Sequence, residues 1–354
     1  MSPLVTVAKK KSKTALAKST VLVRVGITGC GYWGPNLVRN FHELPNAEIA
    51  AVCDSRPERL RPLAKKFPSV KLTTRYQDLV SDPSIDALVI ATPISTHYEM
   101  AREALRSGKH VLVEKPLALT VREGVSLIQL AERCQRILMV GHTFEYHPAV
   151  LKVGELLKAG ELGRMYYIDS VRVNLGLHQS DGLNVLWDLA PHDISIILHW
   201  LNRVPTRVSA WGQAFVKKEV EDVAFLRLEF PDGILAHIHL SWLAPTKIRR
   251  ITLVGDKKMI IYDDLENVEK VKVADRSAQL DPSSPKLRVG YRMGDIVSPR
   301  VEVTEPLADE CRHFIECILQ NKRPRTDGER GLQVVRVLEA ADRSLKKGGA
   351  LVSL

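Results

Sequence analysis

The chain has 354 residues and a formal net charge of +10, with 45% hydrophobic and 26% charged residues. This length accommodates two domains with separate cores, and the composition is typical of a soluble globular protein and excludes a fibrous one. The sequence contains neither an apolar run of membrane-spanning length nor the apolar core of a signal peptide. We therefore expect no membrane partner and a cytoplasmic location.

Residues 1–20 form a basic tail that differs from the rest of the chain. The tail has no acidic residue and contains Lys9, Lys10, Lys11, Lys13 and Lys18. Such a tail either binds nucleic acid or is a solvated, disordered extension. Aromatic residues make up 6% of the chain and are not interleaved with these lysines, so a base-stacking surface is missing. We favour the disordered extension and expect no nucleic-acid partner.

The cysteines form no C-x-x-C pair, and their number is odd: Cys30, Cys53, Cys134, Cys311 and Cys317. This pattern indicates reduced, packed thiols and neither a disulfide framework nor a zinc site. Metal-binding His pairs, the P-loop pattern and the G-x-S-x-G pattern are also missing from the sequence. We expect no metal ion in the protein.

A glycine-rich turn follows the first predicted strand. The apolar residues of 21–27 predict a buried strand, and Gly29, Gly31 and Gly34 come directly after it. In a dinucleotide site these glycines make a tight turn, admit a pyrophosphate and let the next helix pack closely. A second apolar run ends at Asp54, 20 residues past Gly34, where a carboxylate would bind the adenosine ribose. The pattern favours NAD binding, and the alternative is turn glycines that serve packing beside a surface Asp.

Strand-like and helix-like segments alternate through residues 21–143. The predicted elements after Asp54 are a helix over 55–67, a strand over 85–91, a helix over 97–107, a strand over 110–114, a helix over 120–134 and a strand over 137–140. This alternation predicts an α/β Rossmann domain with a parallel sheet, whose ligands bind beyond the carboxyl ends of the strands. The residues expected to bind the cofactor are therefore Gly29, Gly31, Tyr32, Trp33, Gly34, Asp54, Arg56, Thr92, Pro93, His97, Glu114 and Lys115. Arg56 could instead meet a 2′-phosphate, so NADP stays open.

Residues 144–354 predict a second α/β domain for substrate binding and oligomerisation. Helices are predicted over 149–159 and 187–201, and a strand over 165–173. Several runs between 207 and 262 alternate apolar and polar residues, which indicates an open, mostly antiparallel sheet with one free face. Residues 276–298 lack periodicity and suggest a long loop or lid. Two helices, over 306–320 and 330–346, close the chain.

Lys115, Asp188 and His192 are the candidate catalytic residues. Lys115 follows a buried strand and precedes a proline, so its ammonium would reach across the carboxyl edge of the sheet and stabilise an alkoxide. The alternative is a surface lysine before a turn. The i, i+4 spacing of Asp188 and His192 puts both side chains on one helix face, and a neutral His192 in the first turn would act as a base. Alternatively, Asp188 is the N-cap and His192 a packed residue.

Several polar and aromatic residues flank the same region and are candidates for the substrate pocket. Each of them alone is more often structural. With the three catalytic candidates, the expected substrate-binding residues are Lys115, Tyr146, Arg172, Asn174, Asn184, Trp187, Asp188 and His192.

From about residue 21 to its end, the sequence resembles the glucose-fructose oxidoreductase, inositol dehydrogenase and rhizopine catabolism (Gfo/Idh/MocA) family. The matching stretches are V25-G-I-T-G-C-G-Y-W-G34, A91-T-P93, A104-L-R-S-G-K-H-V-L-V-E-K-P-L117, D188-x-x-x-H192 and D327-G-E-R-G-L-Q-V-V-R-V-L-E-A-A341. Glu114-Lys115-Pro116 after a Rossmann half is the specific signal, whereas the glycine loop alone is not. The resemblance leaves out only the basic tail.

The resemblance implies NAD(P)-dependent oxidation of a hydroxyl of a sugar, nucleotide-sugar or inositol, or the reverse reduction, in a homodimer or homotetramer. Lys115 matches the family's E-K-P lysine, and Asp188 and His192 match its acid and base-bearing pair. Two rivals remain: an NAD-dependent glycoside hydrolase of the same family, and a ligand-sensing regulator that kept the fold without catalysis.

Overall fold

The structure is a computed structural model that describes residues 22–176, 183–280 and 289–354. The basic tail lies outside these residues. The helices are α1 (Gly34–Glu43), α2 (Pro57–Lys66), α3 (Gln77–Val80), α4 (Ile94–Arg106), α5 (Val121–Cys134), α6 (Pro148–Lys158), α7 (Val185–Leu201), α8 (Pro306–Gln320) and α9 (Gly328–Leu345). The strands are β1 (Val23–Thr28), β2 (Ala47–Cys53), β3 (Lys71–Thr73), β4 (Ala87–Ile90), β5 (His110–Glu114), β6 (Leu138–Gly141), β7 (Met165–Leu175), β8 (Arg207–Gln213), β9 (Val223–Glu229), β10 (Leu235–Ser241), β11 (Leu243–Gly255), β12 (Met259–Asp263), β13 (Val271–Leu280), β14 (Val289–Val297) and β15 (Val352–Ser353).

The first sheet is parallel and has the order β3-β2-β1-β4-β5-β6. Its strands are apolar on both faces because helices cover both, as the run A87-L-V-I90 illustrates with four buried residues. The order reverses between β1 and β4, and the glycine turn after β1 therefore opens into the crevice at the switch point. The predicted Rossmann sheet is confirmed.

The second sheet comprises β7 to β15 in the order β14-β13-β12-β11-β7-β10-β9-β8-β15. Its strand pairs are antiparallel except for β7 with β10. One face packs on α6, α7 and α9 in a single apolar cluster. The opposite face bears exposed side chains such as Tyr167 and Trp211. The prediction of an open, mostly antiparallel sheet is confirmed.

The C-terminal helices return to the first sheet. Leu307, Cys311 and Phe314 of α8 pack with α1 and β1 on one face. Leu332 and Val335 of α9 pack with α5 and β6 on the other face. Farther along, α9 also enters the core of the second sheet. Among the described helices, none combines the length and apolar composition needed to cross a membrane.

Two local predictions were wrong. Residues 276–298 are not one long loop, because β13 extends to Leu280 and β14 begins at Val289, although 281–288 lie outside the described residues. β14 is the edge strand and is mostly exposed, and glycine, serine and charged residues interrupt the apolar ones in both segments, a composition that resembles a loop. Helix α4 begins at Ile94, three residues before the predicted start.

Candidate active site

The glycine turn has the shape that a dinucleotide site requires. Gly29 has φ of +92°, and a Cβ there would lie 2.4 Å from the Ala91 carbonyl oxygen. A Cβ on Gly34 would lie 2.0 Å from the Gly29 carbonyl oxygen, so neither position tolerates a side chain. At Gly31 a Cβ would meet only the Arg59 Nη1, at 3.9 Å. The space above Gly31 therefore suits a pyrophosphate, and the residues of this turn fit the cofactor.

Asp54 connects the glycine turn after β1 with the segment between β2 and α2. Its carboxylate accepts hydrogen bonds from the backbone nitrogens of Cys30 (2.6 Å) and Arg56 (2.9 Å). The Arg59 Nη1 lies 3.5 Å from the same carboxylate. Arg59 was not predicted from the sequence, although its place in the first turn of α2, beside Arg56, puts a second cation near the ribose position.

His97 links the two loops that follow β4 and β5. It is 1% exposed, and its ring nitrogens lie 2.8 Å from the Pro116 carbonyl oxygen and 2.9 Å from the Thr92 carbonyl oxygen. The peptide bond between Lys115 and Pro116 is cis. Through these contacts His97 positions the Thr92-Pro93 turn and the Lys115-Pro116 turn at the same edge of the sheet.

The Lys115 ammonium faces the first turn of α7. Its Nζ donates to the Asp188 carbonyl oxygen at 2.9 Å and lies 3.9 Å from Asp188 Oδ1. The side chain is 13% exposed, and this burial lowers the pKa of Lys115, against the charges of Asp188 and Glu114, which favour the ammonium. The lysine therefore lies at the carboxyl end of β5 and points toward the candidate base.

Asp188 and His192 occupy one face of α7, as predicted, but the helix begins earlier than the sequence indicated. Asn184 is the N-cap, so the alternative role of Asp188 as the cap is wrong. The Asp188 Oδ2 accepts a hydrogen bond from Trp242 Nε1 at 3.1 Å. His192 lies past the first turn, so the helix terminus is not the main cause of its neutrality.

The imidazole of His192 is kept neutral by its surroundings. Burial, followed by the charges of Lys115, Arg172 and Arg249, holds the pKa of His192 well below 6.5. Its ring packs edge-on against Phe144, with centroids 5.1 Å apart. Its Nδ1 is buried without a hydrogen-bond partner among the described residues. A neutral imidazole in this state is suited to act as a general base.

A cavity of about 380 Å³ lies between the glycine turn and His192. It extends from the glycine turn past β5 and β6 to α7, the second sheet and the start of α8. Its lining residues are Trp33, Asn36, Glu114, Gly141, Thr143, Phe144, His147, His192, Arg249, Asp264, Glu305, Pro306 and Leu307. The volume lies within the range of small-molecule sites. The cavity therefore places a candidate base beside the cofactor turn.

Buried carboxyl groups surround the inner end of this cavity. Burial raises the pKa of Glu114 to about 7, and burial next to Glu114 raises that of Glu310 well above its ordinary value. Glu310 accepts a hydrogen bond from the Thr143 hydroxyl at 2.7 Å. His142, 1% exposed nearby, has a pKa lowered to about 3 by burial. The shifts of these pKa values favour the neutral forms of Glu114, Glu310 and His142 beside the cofactor crevice.

Of the predicted substrate residues, only His192 lines this cavity within the described part of the chain, and Lys115, Asp188 and the others lie around it. Tyr146 is buried and contacts the Thr326 hydroxyl at 3.2 Å. Arg172 is 2% exposed and forms an ion pair with Asp193, at 2.5 Å, while its guanidinium carbon lies 4.8 Å from the Phe144 ring centre. Arg172 therefore supports the cavity wall from behind.

The remaining predicted substrate residues belong to α7 and β7. Asn184 caps α7 and donates to Glu221 at 2.8 Å. Trp187 is 8% exposed and packs in the core of the second sheet. Asn174 is half-buried near the end of β7, beside residues 177–182, which the structure does not describe. Their role as substrate ligands stays a prediction.

Sequence reasoning missed Asn36, Phe144, Arg249 and Asp264 of the cavity lining. Arg249 is followed directly by Arg250, and the alternation in this strand does not tell which arginine faces inward. Phe144 belongs to a short 3₁₀ helix, Thr143–Tyr146, that has no sequence period. Within the described residues no three His, Cys, Asp or Glu side chains gather in a way that would hold a metal ion.

Comparison with known proteins identifies two family models that cover most of the chain. The oxidoreductase family model with an NAD-binding Rossmann fold (Gfo/Idh/MocA) matches residues 23–142. The Gfo/Idh/MocA C-terminal domain model matches residues 150–261. The two boundaries agree with the break between the two sheets.

Individual relatives are similar over nearly their whole length. UDP-N-acetylglucosamine 3-dehydrogenase of Acidithiobacillus ferrooxidans is 27% identical over 88% of this chain and 94% of its own. Myo-inositol 2-dehydrogenase of Thermotoga maritima is 24% identical over 92% of this chain and 97% of its own. The crystal structure of a putative oxidoreductase from Magnetospirillum magnetotacticum is 31% identical, with a TM-score of 0.78, over 90% of this chain and 99% of that one.

Proposed function

Because this chain belongs to the Gfo/Idh/MocA family of oxidoreductases with an NAD-binding Rossmann domain, we propose that it oxidises a secondary hydroxyl of a sugar, nucleotide-sugar or inositol, or reduces the corresponding ketone. One observation carries the proposal. Lys115 Nζ lies 2.9 Å from the Asp188 carbonyl oxygen, one helical turn before His192, which lines the cavity beside the glycine turn.

The residues of the chain would divide the work as follows. The glycine turn and Asp54 would hold NAD+, which would supply the acceptor for the hydride of the substrate carbon. His192 takes the proton of the hydroxyl, since its imidazole is neutral. Lys115 donates a hydrogen bond to the same oxygen while negative charge develops there. Asp188 holds Lys115 in position and is itself held by Trp242. The ketone leaves, and the proton remains on His192 until it is released.

The substrate class follows from the relatives together with the cavity. One relative is named for a nucleotide-sugar and another for myo-inositol, and both names describe a ring with secondary hydroxyls. The cavity presents donors and acceptors suited to such a ring, among them His147, Asn36 and Asp264. We propose NAD+ as the preferred cofactor because Asp54 would repel a 2′-phosphate.

The test is replacement of the two proposed catalytic groups. Lys115→Ala and His192→Ala should each lower kcat by about 100-fold or more, because each removes proton transfer or charge stabilisation. Turnover is followed as NAD(P)H absorbance with a panel of inositols, sugars and UDP-sugars. The affinity for NAD+, measured by calorimetry, should be unchanged.

His42→Ala and Lys152→Ala are the matched controls, because both residues lie on helices and outside the cavity lining, His42 exposed and Lys152 half-buried. Near-normal turnover in the Lys115 or His192 variant would show that the assigned role is wrong. A wild-type protein that oxidises no member of the panel with either cofactor would contradict the proposal as a whole.

We also propose that the protein is a homodimer or homotetramer assembled through the free face of the second sheet. Trp211 is 53% exposed there and Tyr167 is 46% exposed. Phe225 is stacked between Trp211 and His239, with ring centres 5.9 and 4.5 Å apart. An exposed aromatic surface of this kind is typical of a protein interface.

A cytoplasmic location is part of the proposal as well and is supported by five cysteines that form no disulfide.

A further inference from the structure

Arg249 faces the cavity, and its neighbour Arg250 faces away. Arg249 lines the cavity with His192, whereas Arg250 contacts Asp263 from the exposed side of β11 and β12. The positive charge of Arg249 contributes to the low pKa of His192, which places it within electrostatic reach of the candidate base. The guanidinium therefore belongs to the wall across which a substrate would lie.

Asp264 fixes the position of this guanidinium. Its Oδ2 accepts a hydrogen bond from Arg249 Nη1 at 3.2 Å, and its backbone nitrogen donates to the Arg249 carbonyl oxygen at 2.9 Å. The Tyr262 hydroxyl donates to Asp264 Oδ1 at 3.2 Å. An arginine held in this way loses little conformational freedom when it binds a ligand.

The guanidinium keeps donors for a ligand. Nη1 makes the one side-chain hydrogen bond of Arg249 found among the described residues, out of five N–H donors. The side chain is 31% exposed, so the remaining donors are reachable. Arg172, its partner in the β7–β11 register, differs because it is 2% exposed and two of its nitrogens bind Asp193.

The acidic residues that line the cavity do not oppose a ligand anion at this point. Glu305 is paired with Arg39 and accepts a hydrogen bond from Asn40 at 3.1 Å. The charge of Asp264 is countered by Arg249 itself. The pKa of Glu114, about 7, leaves that group partly protonated at neutral pH. An anionic oxygen beside Arg249 would therefore gain charge-assisted hydrogen bonds without facing an unpaired carboxylate.

We propose that Arg249 is the anchor for an anionic group of the substrate, a carboxylate or a phosphate attached to the sugar ring. Asp264 is the positioning residue that orients it. This inference rests on the proposed function, because it assumes that the sugar lies in the cavity beside His192. It narrows the substrate class to acidic sugars, meaning uronic acids or sugars carrying a diphosphate.

Two matched ligand pairs test the inference and distinguish the two sources of charge. D-glucuronate is compared with D-glucose, and UDP-N-acetylglucosamine with N-acetylglucosamine. Binding is measured by calorimetry in the presence of NADH, so no oxidation takes place and the result does not depend on turnover. The wild-type protein should bind the anionic member of at least one pair about 10-fold or more tightly.

Arg249→Gln should weaken binding of that anionic ligand by about 10- to 100-fold and change the affinity for its neutral partner far less. Arg249→Lys keeps the charge and loses the planar guanidinium, so its affinity for the anionic ligand should fall between those of the wild type and Arg249→Gln. Arg250→Gln is the matched control, since it removes an arginine–aspartate pair from the same strand outside the cavity, and should leave both affinities unchanged. NADH affinity and the midpoint of thermal unfolding report whether each variant is folded.

Three outcomes would overturn the inference: no preference for the anionic member in either pair, no binding of either anionic probe, or an equal loss for charged and neutral ligands in Arg249→Gln. These outcomes are separate from failure of the proposed function. An anionic preference in a protein that oxidises no sugar would leave the Arg249 assignment standing and remove the catalytic one.

Discussion

His192 and Lys115 have pKa values shifted in the same direction for the same reason. Burial removes water from both side chains and lowers both pKa values. The positive charges of Lys115, Arg172 and Arg249 lower the pKa of His192 further, because they disfavour protonation of the imidazole. The spacing of Asp188 and His192 in the sequence predicted their shared helix face. It could not predict the environment of the imidazole, because Arg172 and Arg249 come from strands distant in the chain. The cause first assigned to a neutral His192, the helix N-terminus, was accordingly wrong.

The pH dependence of kcat/KM for oxidation should reflect these shifts. His192 is a competent base above its pKa, so activity should not fall when the pH is lowered through 6.5, and the acid limb should lie well below that value. Lys115 carries its proton below its pKa, so the alkaline limb should lie below 10.5. Initial rates at low substrate concentration over this range provide the measurement.

Glu114→Gln is the control for this profile, because Glu114 has a pKa of about 7 and contacts the same region. A limb near pH 7 that disappears in this variant belongs to Glu114. An acid limb near 6.5 that persists in it would show that His192 titrates at its ordinary pKa and that our account of its burial is incorrect.

Helix α9 illustrates what an element needs beyond its own periodicity. Its end at Leu345 was predicted to within a residue, because its apolar spacing is strong. Its close approach to β6 was not predicted. A Cβ on Gly331 would lie 2.6 Å from Val140 Cγ2 and 3.2 Å from Leu117 Cβ. The glycine is there because the helix touches the sheet at that position.

Gly331→Ala should therefore destabilise the protein. Overpacking costs about 1–3 kcal/mol, and most of this range exceeds the gain in helix propensity of about 1 kcal/mol. Urea unfolding followed by circular dichroism measures the difference. The matched control is Gly154→Ala in α6, where the nearest atom to a new Cβ is Trp200 Cδ1 at 3.8 Å. The control should be neutral or stabilising, and equal effects of the two substitutions would contradict the packing explanation.

At the scale of the whole molecule, the sequence predicted two sheets and their types. Continuous apolar runs indicate a parallel sheet that is buried on both faces, whereas runs that alternate apolar and polar residues indicate an antiparallel sheet with one free face. The edge strand β14 and the end of β13 were missed because glycine, serine and charged residues interrupt their apolar residues. The inward side of β11 was also missed, since only the packed structure shows which of two adjacent arginines faces α7.

The proposed assembly of a dimer or tetramer through the free face of the second sheet can be tested by mutation. Trp211→Glu should shift the protein to a smaller species in light scattering coupled to size exclusion, because a buried charge in an aromatic interface is costly. NAD+ affinity should be retained. Val303→Glu, at a position 98% exposed, is the control and should not change the mass. A wild-type protein that is monomeric at micromolar concentration would refute assembly through this face.

Helix α9 begins against β6 and ends in the apolar cluster of the other sheet. The cores of both sheets consequently include residues from the last sixty positions of the chain. Residues 21–143 expressed alone would lack α8 and α9, and the apolar surfaces that these helices cover on the two faces of the first sheet would be exposed. Helices α8 and α9 must therefore be synthesised before the first sheet can reach its native packing.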